Sequence, residues 1–249
     1  MMQILAVDTS QPTGRVAVST GDGYFKDLPL ERPSSHLVEL GRAVSQLLDE
    51  AGITIDEIDR VALVSGPGSF TGLRVGMAYV KGLHAGLATD VVAVTSLDVL
   101  AVQASRGDIP VAPMIDARKD EVYAALYIPS DFQTDTDKQE AKSAPSLGVR
   151  QIAPAAALPP SEFLASVGKR AAVFVGSGVV RYRSLVTERF GDRAVFAADD
   201  DHAPSLRVLC RLATTLTPLS ADQTVALEPF YIRSSGAKLK PLRKISMND

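Results

Sequence analysis

Residues 4–23 read ILAVDTSQPTGRVAVSTGDG and already hold two strands and a turn. The run Gln3–Asp8 is apolar and closes on an acid. Residues 14–20 alternate, the period of a half-buried strand, and Gly21-Asp22-Gly23 is a hairpin turn ahead of a third strand at 24–30. Farther along, Leu37, Leu40, Val44, Leu47 and Leu48 recur at helical spacing over 35–51, with serine at the N-cap and Gly52 at the stop. Arg60–Val64 is an apolar run of the kind buried inside a sheet. A helix to about residue 88, a buried strand at 91–94 and a helix from Ser96, its cap, to about 105 complete the first half.

The second half repeats the order. VAPMID at 111–116 again ends on an acid, and 121–128 alternate. Strands are expected at 149–152, 171–175 and 194–196, and helices at 161–167, 179–190 and 205–215. The polar stretch 129–148 reads as a mobile loop. Asp8 and Asp116 lie 108 residues apart in matching positions, which points to a duplicated unit. A strand group followed by helix–strand–helix crossovers is the ribonuclease-H-like pattern. Two such lobes with mixed sheets, flanking a cleft, make the α/β actin/hsp70/sugar-kinase (ASKHA) fold. A single mixed domain with accidentally similar halves is the alternative; matching element order and acid position favour duplication. The expected lobes are 1–107 and 108–233, followed by a basic tail at 234–249.

Composition sets further bounds. A chain of 249 residues with 46% hydrophobic and 22% charged residues suits two globular domains and argues against wholesale disorder. Lys and Arg total 26 against 29 Asp and Glu, so the basic excess of a stand-alone nucleic-acid binder is missing. A single cysteine, Cys210, excludes an internal disulfide and a Cys-rich zinc site. No stretch approaches the ~18 apolar residues of a membrane span, and MMQILAVDTS lacks the basic start of a signal peptide. The expectation is a soluble cytoplasmic protein. Arg233, Lys238, Lys240, Arg243 and Lys244 form a run of positive charge that either touches a phosphate backbone or is merely solvated.

Three places could carry chemistry. The loop Ser65-Gly66-Pro67-Gly68-Ser69-Phe70-Thr71-Gly72 matches neither phosphate-binding glycine fingerprint, so it reads as a turn with Ser69 as helix cap. The helix after it is apolar on most sides and striped by Gly72/Gly76 and Gly82/Gly86, which calls for a second packing partner. That partner is read as another chain, with burial wholly within this chain as the alternative. The expected interface comprises Leu37, Leu40, Val44 and Leu47 of the first helix, with Phe70, Gly72, Leu73, Gly76, Met77, Tyr79, Val80 and Leu83 of the second. Finally, Asp8-Thr9-Ser10 and Asp116 close strands where carboxylates can hold a hydrated metal and turns can hold nucleotide phosphates, with Gly176 and Gly178 as further nucleotide-proximal candidates. A simple turn hydrogen bond from each acid is the alternative. No catalytic residue and no metal ligand set emerges: the three histidines, His36, His84 and His202, form no ligand spacing.

ILAVDTS, SGPGSFTGLRVGMAYVKGL at 65–83, VTSLDVLA at 94–101, IDARKDEVYAALY at 115–127 and EPFYIR at 228–233 together resemble the TsaB (YeaZ) family of the bacterial tRNA N6-threonylcarbamoyladenosine pathway. The resemblance covers residues 1–128 well. It implies the ASKHA fold and a non-catalytic role in modifying adenosine 37 of ANN-decoding tRNAs. It also implies pairing with the catalytic paralogue TsaD through the helices at 35–51 and 69–88, an ATPase partner, TsaE, and homodimers through a similar surface. The paralogue carries metal on an HxxxH segment, whose histidine positions hold Ser96 and Leu100 here. The resemblance therefore implies no cofactor of the chain's own and only indirect contact with tRNA, and leaves ATP at the complex interface open. An independent nucleotide-dependent ATPase or phosphotransferase of the same fold is the competing reading.

Overall fold

The computed structural model describes residues 2–30, 36–87, 89–130 and 147–232; the side chains of His36 and Leu37 also fall outside it. The N-cap of the first helix, most of the 129–148 insert and the basic tail therefore lie outside the described residues.

Two five-stranded sheets organise the chain. The first runs β3-β2-β1-β4-β5, from β1 (Ile4–Asp8), β2 (Arg15–Ser19), β3 (Phe25–Pro29), β4 (Arg60–Val64) and β5 (Asp90–Val94). The second runs β10-β9-β6-β7-β8, from β6 (Val111–Asp116), β7 (Val122–Pro129), β8 (Val149–Leu158), β9 (Ala172–Val175) and β10 (Ala194–Phe196). In each, the first three strands pair antiparallel and the last two join in parallel. The order is the same once the second sheet is read backwards. The duplication is therefore topological, and the chain has the two-unit α/β ASKHA architecture.

In the first unit, α1 (His36–Ala51) and α2 (Phe70–Leu87) cover one sheet face. Leu5, Val7, Val16, Val18, Val61 and Leu63 point to that face and join Leu40, Val44, Leu47, Met77 and Val80 in one core. The opposite face, of the other parity, meets α7 (Leu206–Thr215), which packs on β1, β2 and β4 yet supplies nothing to that core. Arg60, on the α7 face, donates to the carbonyls of Ala213 at 2.5 Å and Leu216 at 3.2 Å and pairs with Asp90 at 3.0 Å. The short α8 (Ala221–Ala226) follows, and Lys81 of α2 donates to its Val225 carbonyl at 2.7 Å.

This packing corrects the expected boundary. Among the described residues, one compact unit draws on 2–99 and 204–230, the other on 100–203 and 231–232. Residues 206–226 belong with the first sheet, not with a continuous 108–233 lobe. α3 (Ser96–Ala104) crosses the division. It is capped by Thr95, whose Oγ1 accepts the Asp98 N–H at 3.0 Å, rather than by Ser96.

In the second unit, α4 (Pro160–Val167), α5 (Ser177–Arg181) and α6 (Arg183–Phe190) accompany the sheet. Met114, Leu126, Leu158, Phe163, Phe174 and Phe190 anchor its core. The single helix expected at 179–190 is broken at Tyr182, whose φ of −110° and ψ of 25° leave the helical region. β8 extends well past the expected 149–152 and includes Pro154, a residue that an edge strand accommodates.

Candidate functional site

Asp8 closes β1. Its Oδ1 accepts the Ser10 N–H at 2.7 Å. Asp116 closes β6 and accepts the Arg118 N–H in the same way at 3.0 Å. Both acids thus make the local turn bond two residues on, which was the simpler reading of each. Their surroundings differ. Asp8 is buried, and burial pushes its carboxyl from 3.8 up to about 6, against the opposing pull of the Ser10 hydrogen bonds and of Arg15. Asp116 is paired by Arg181, whose Nη1 lies 3.0 and 3.2 Å from its two oxygens.

The glycine loop closes over Asp8-Thr9-Ser10. The Ser69 N–H donates to the Ser10 carbonyl at 2.7 Å, and Ser69 Oγ accepts the Gly72 N–H at 3.2 Å, capping α2 as expected. A β-carbon at Gly68 would collide with the Ser10 carbonyl, one at Gly72 with the Thr9 carbonyl, and one at Gly76 with Thr9 Oγ1. These glycines exist so that α2 can lie directly on the end of β1. Thr9 and Ser10 are buried beneath it, so their backbone does not fit a nucleotide phosphate. In the second unit a β-carbon at Gly176 would strike the Met114 carbonyl, and one at Gly178 would sit 3.0 Å from it. Gly176 also donates its N–H to His202 Nδ1 at 3.0 Å. The nucleotide-proximal set is thus used to seat turns on strand ends.

At Ser96 and Leu100, the positions where the resemblance implies the paralogue's histidines, both side chains are taken up by packing. Ser96 is fully buried and donates its hydroxyl to the Pro67 carbonyl at 2.8 Å, and Leu100 is fully buried. Among the described residues, no three His, Cys, Asp or Glu side chains gather as a metal site.

The expected interface splits in two. Leu40, Val44, Leu47, Gly72, Leu73, Gly76, Met77 and Val80 are buried inside the first unit, so these positions are corrected to core. The physical reason is that the Gly72/Gly76 row faces Thr9, not solvent. Tyr79 and Leu83 are half-buried, Phe70 is 55% exposed with the Arg74 guanidinium 3.9 Å above its ring, and Leu37 lies outside the described side chains. The outward side of α2 carries Thr71, Arg74, Ala78, Gly82, Ala85 and Gly86. On α1, Val38 is 72% exposed and Gly41 is open. Gly41, Gly82 and Gly86 have nothing within 4 Å of a would-be β-carbon. The second glycine pair, visible in the sequence, marks this open side. Its small neighbours Ala78 and Ala85 were missed because alanine is unremarkable in any helix.

The family model of the tRNA N6-adenosine threonylcarbamoyltransferase, TsaD, matches residues 28–240. The tRNA threonylcarbamoyladenosine biosynthesis protein TsaB of Bacillus subtilis is 33% identical over 126 residues, 51% of this chain and 55% of that protein. The TsaB of Escherichia coli is 35% identical over 131 residues, with the same shares. The aligned region thus spans about half the length of these curated relatives. A solved structure of YeaZ from Pseudomonas aeruginosa superposes with a TM-score of 0.66 at 29% identity, over 93% of this chain and 100% of that one. No described helix is long and apolar enough to cross a membrane.

Proposed function

Because the chain belongs to the tRNA N6-adenosine threonylcarbamoyltransferase (TsaD) family, we propose that it is the non-catalytic partner in that modification. It organises a TsaD-type catalytic paralogue for threonylcarbamoylation of adenosine 37 in ANN-decoding tRNAs, in the cytoplasm. The observation that carries the reading is the open side of α2. A solvent-facing helix side normally bears long polar residues. Here Ala78, Gly82, Ala85 and Gly86 leave a flat strip, and among the described residues nothing packs within 4 Å of a β-carbon at Gly82 or Gly86. Each glycine costs roughly 0.5–1 kcal/mol of helix propensity relative to alanine. Close approach of another helix offsets that cost. Ser96 and Leu100 in the metal positions, both committed to the chain's own packing, support the non-catalytic part.

The same strip serves homodimers, and a TsaE-type ATPase joins the pair, with ATP at the shared interface rather than on this chain alone. The test is light scattering of this protein mixed with the TsaD-type paralogue of its own organism, followed by tRNA modification with and without this chain. A one-to-one complex and modification that requires this chain are expected. Two persistent separate species would overturn the scaffold reading.

A further inference from the structure

A cavity of about 430 Å³ lies on the sheet face opposite α1 and α2. Its floor is a row of cross-strand neighbours: Ile4 pairs with Ser19, and Ser19 with Phe25. Its roof is α7, which contributes Arg207, Cys210, Arg211 and Thr214, the i, i+3, i+4, i+7 stripe of one helix side. Met2 and the turn at Thr20, Gly21 and Gly23 close the sides. The size falls within the roughly 300–1,000 Å³ typical of small-molecule sites.

The lining is chemically one-sided. Two arginines line the cavity and no Asp or Glu does, in a chain of net charge −3. Arg207 lies 4.0 Å over the Phe25 ring. Arg211 makes no side-chain ion pair among the described residues. The carboxylates on the same hairpin have partners of their own, Asp27 in Arg15 and Asp22 in the hydroxyl of Thr20, itself a lining residue. Against the two cations stand the apolar side chains of Met2, Ile4 and Phe25. Guanidiniums one helical turn apart, about 6 Å between β-carbons, can share the oxygens of one phosphate.

We propose that this cavity binds a small organic phosphate monoester. The phosphate is held by Arg207 and Arg211 and the apolar body rests on Met2, Ile4 and Phe25. The site is separate from the α2 strip and does not depend on the function proposed above.

The test titrates phenyl phosphate into the full chain by calorimetry, with inorganic phosphate, phenol and benzoate as parallel arms. One saturable site is expected, with phenyl phosphate binding at least about tenfold tighter than any of the other three. The double variant Arg207→Gln/Arg211→Gln should lose about tenfold or more. Thr214→Phe, which fills the mouth from an exposed helix position and leaves the charge intact, should abolish binding. Circular dichroism checks that both variants fold, and shifts of the Gly21 and Gly23 amide resonances locate the ligand in the unaltered chain. No saturation by about 10 mM, unchanged affinity in both folded variants, or unmoved Gly21 and Gly23 resonances would overturn the proposal. Equal affinity for benzoate would overturn the assignment to phosphate.

Discussion

Gly76 and Gly82 lie less than two turns apart on α2, and opposite circumstances surround them. A β-carbon at Gly76 meets Thr9 Oγ1 and Cβ inside the core, whereas one at Gly82 meets nothing. Gly76→Ala should therefore destabilise by about 2 kcal/mol, the usual cost of overpacking. Gly82→Ala should stabilise by roughly 0.5–1 kcal/mol through helix propensity. Thermal denaturation of the two variants reads both signs. Asp8 supplies a second residue-level expectation. Its folded pKa of about 6 lies above the ordinary 3.8, so the folded state binds the proton more tightly than the unfolded one. This group favours folding fully only below pH about 4, and its contribution is lost as pH rises through about 6. Asp8→Asn keeps an acceptor for the Ser10 N–H and removes the ionisation. It should gain stability over wild type as pH goes from about 4 to 7, by roughly 3 kcal/mol at most. Urea denaturation across that range checks it; a constant difference would mean that Asp8 ionises freely.

The helices show why buried and exposed sides must be separated before an interface is named. α2 is pinned through Gly72 and Gly76 to Thr9, so bulky residues there damage the fold and say nothing about partners. Gly82→Phe is the informative change, since it adds bulk where nothing is touched. It should leave the melting temperature of the isolated chain nearly unaltered while weakening association with the paralogue by about tenfold or more. Unchanged association would remove the strip from the interface. α7 depends on a different device. Arg60 feeds the last carbonyls of that helix, where a cation is favoured, and Asp90 balances its charge. Arg60→Ala leaves those carbonyls without their donor and should cost about 2–3 kcal/mol in denaturant unfolding.

Across the whole molecule, the first unit draws on two stretches of chain, 2–99 and 204–230. A fragment ending at residue 107 would leave the sheet face of Ile4, Ala6, Ala17 and Ala62 without α7. Such a fragment should bind a hydrophobic dye and show no cooperative unfolding, unlike the full chain. A cooperative transition in the fragment would show that α7 is dispensable to that sheet.

Much of this architecture was legible before any coordinates, because its signals are local. The alternation in 14–20, the apolar run 60–64 and the hairpin turn at Gly21-Asp22-Gly23 all act within a few residues. The matching acids of ILAVD and VAPMID exposed the duplication, since a strand and its turn keep their own chemistry wherever they fold. The absence of histidine at Ser96 and Leu100 was equally plain. The helix at 221–226 had a readable start in Ser220-x-x-Gln223, a capping box that went unused. Other features needed the tertiary structure. The apolar stripe of α7, with Leu206, Leu209, Cys210 and Ala213 buried, would suit either sheet; contacts more than a hundred residues away choose the first. Helical periodicity says that α2 has faces, yet only the position of Thr9 tells which glycines look inward. The cavity under Arg207 and Arg211 has no sequence signature, because its floor comes from three strands and its roof from a helix that returns near the end of the chain.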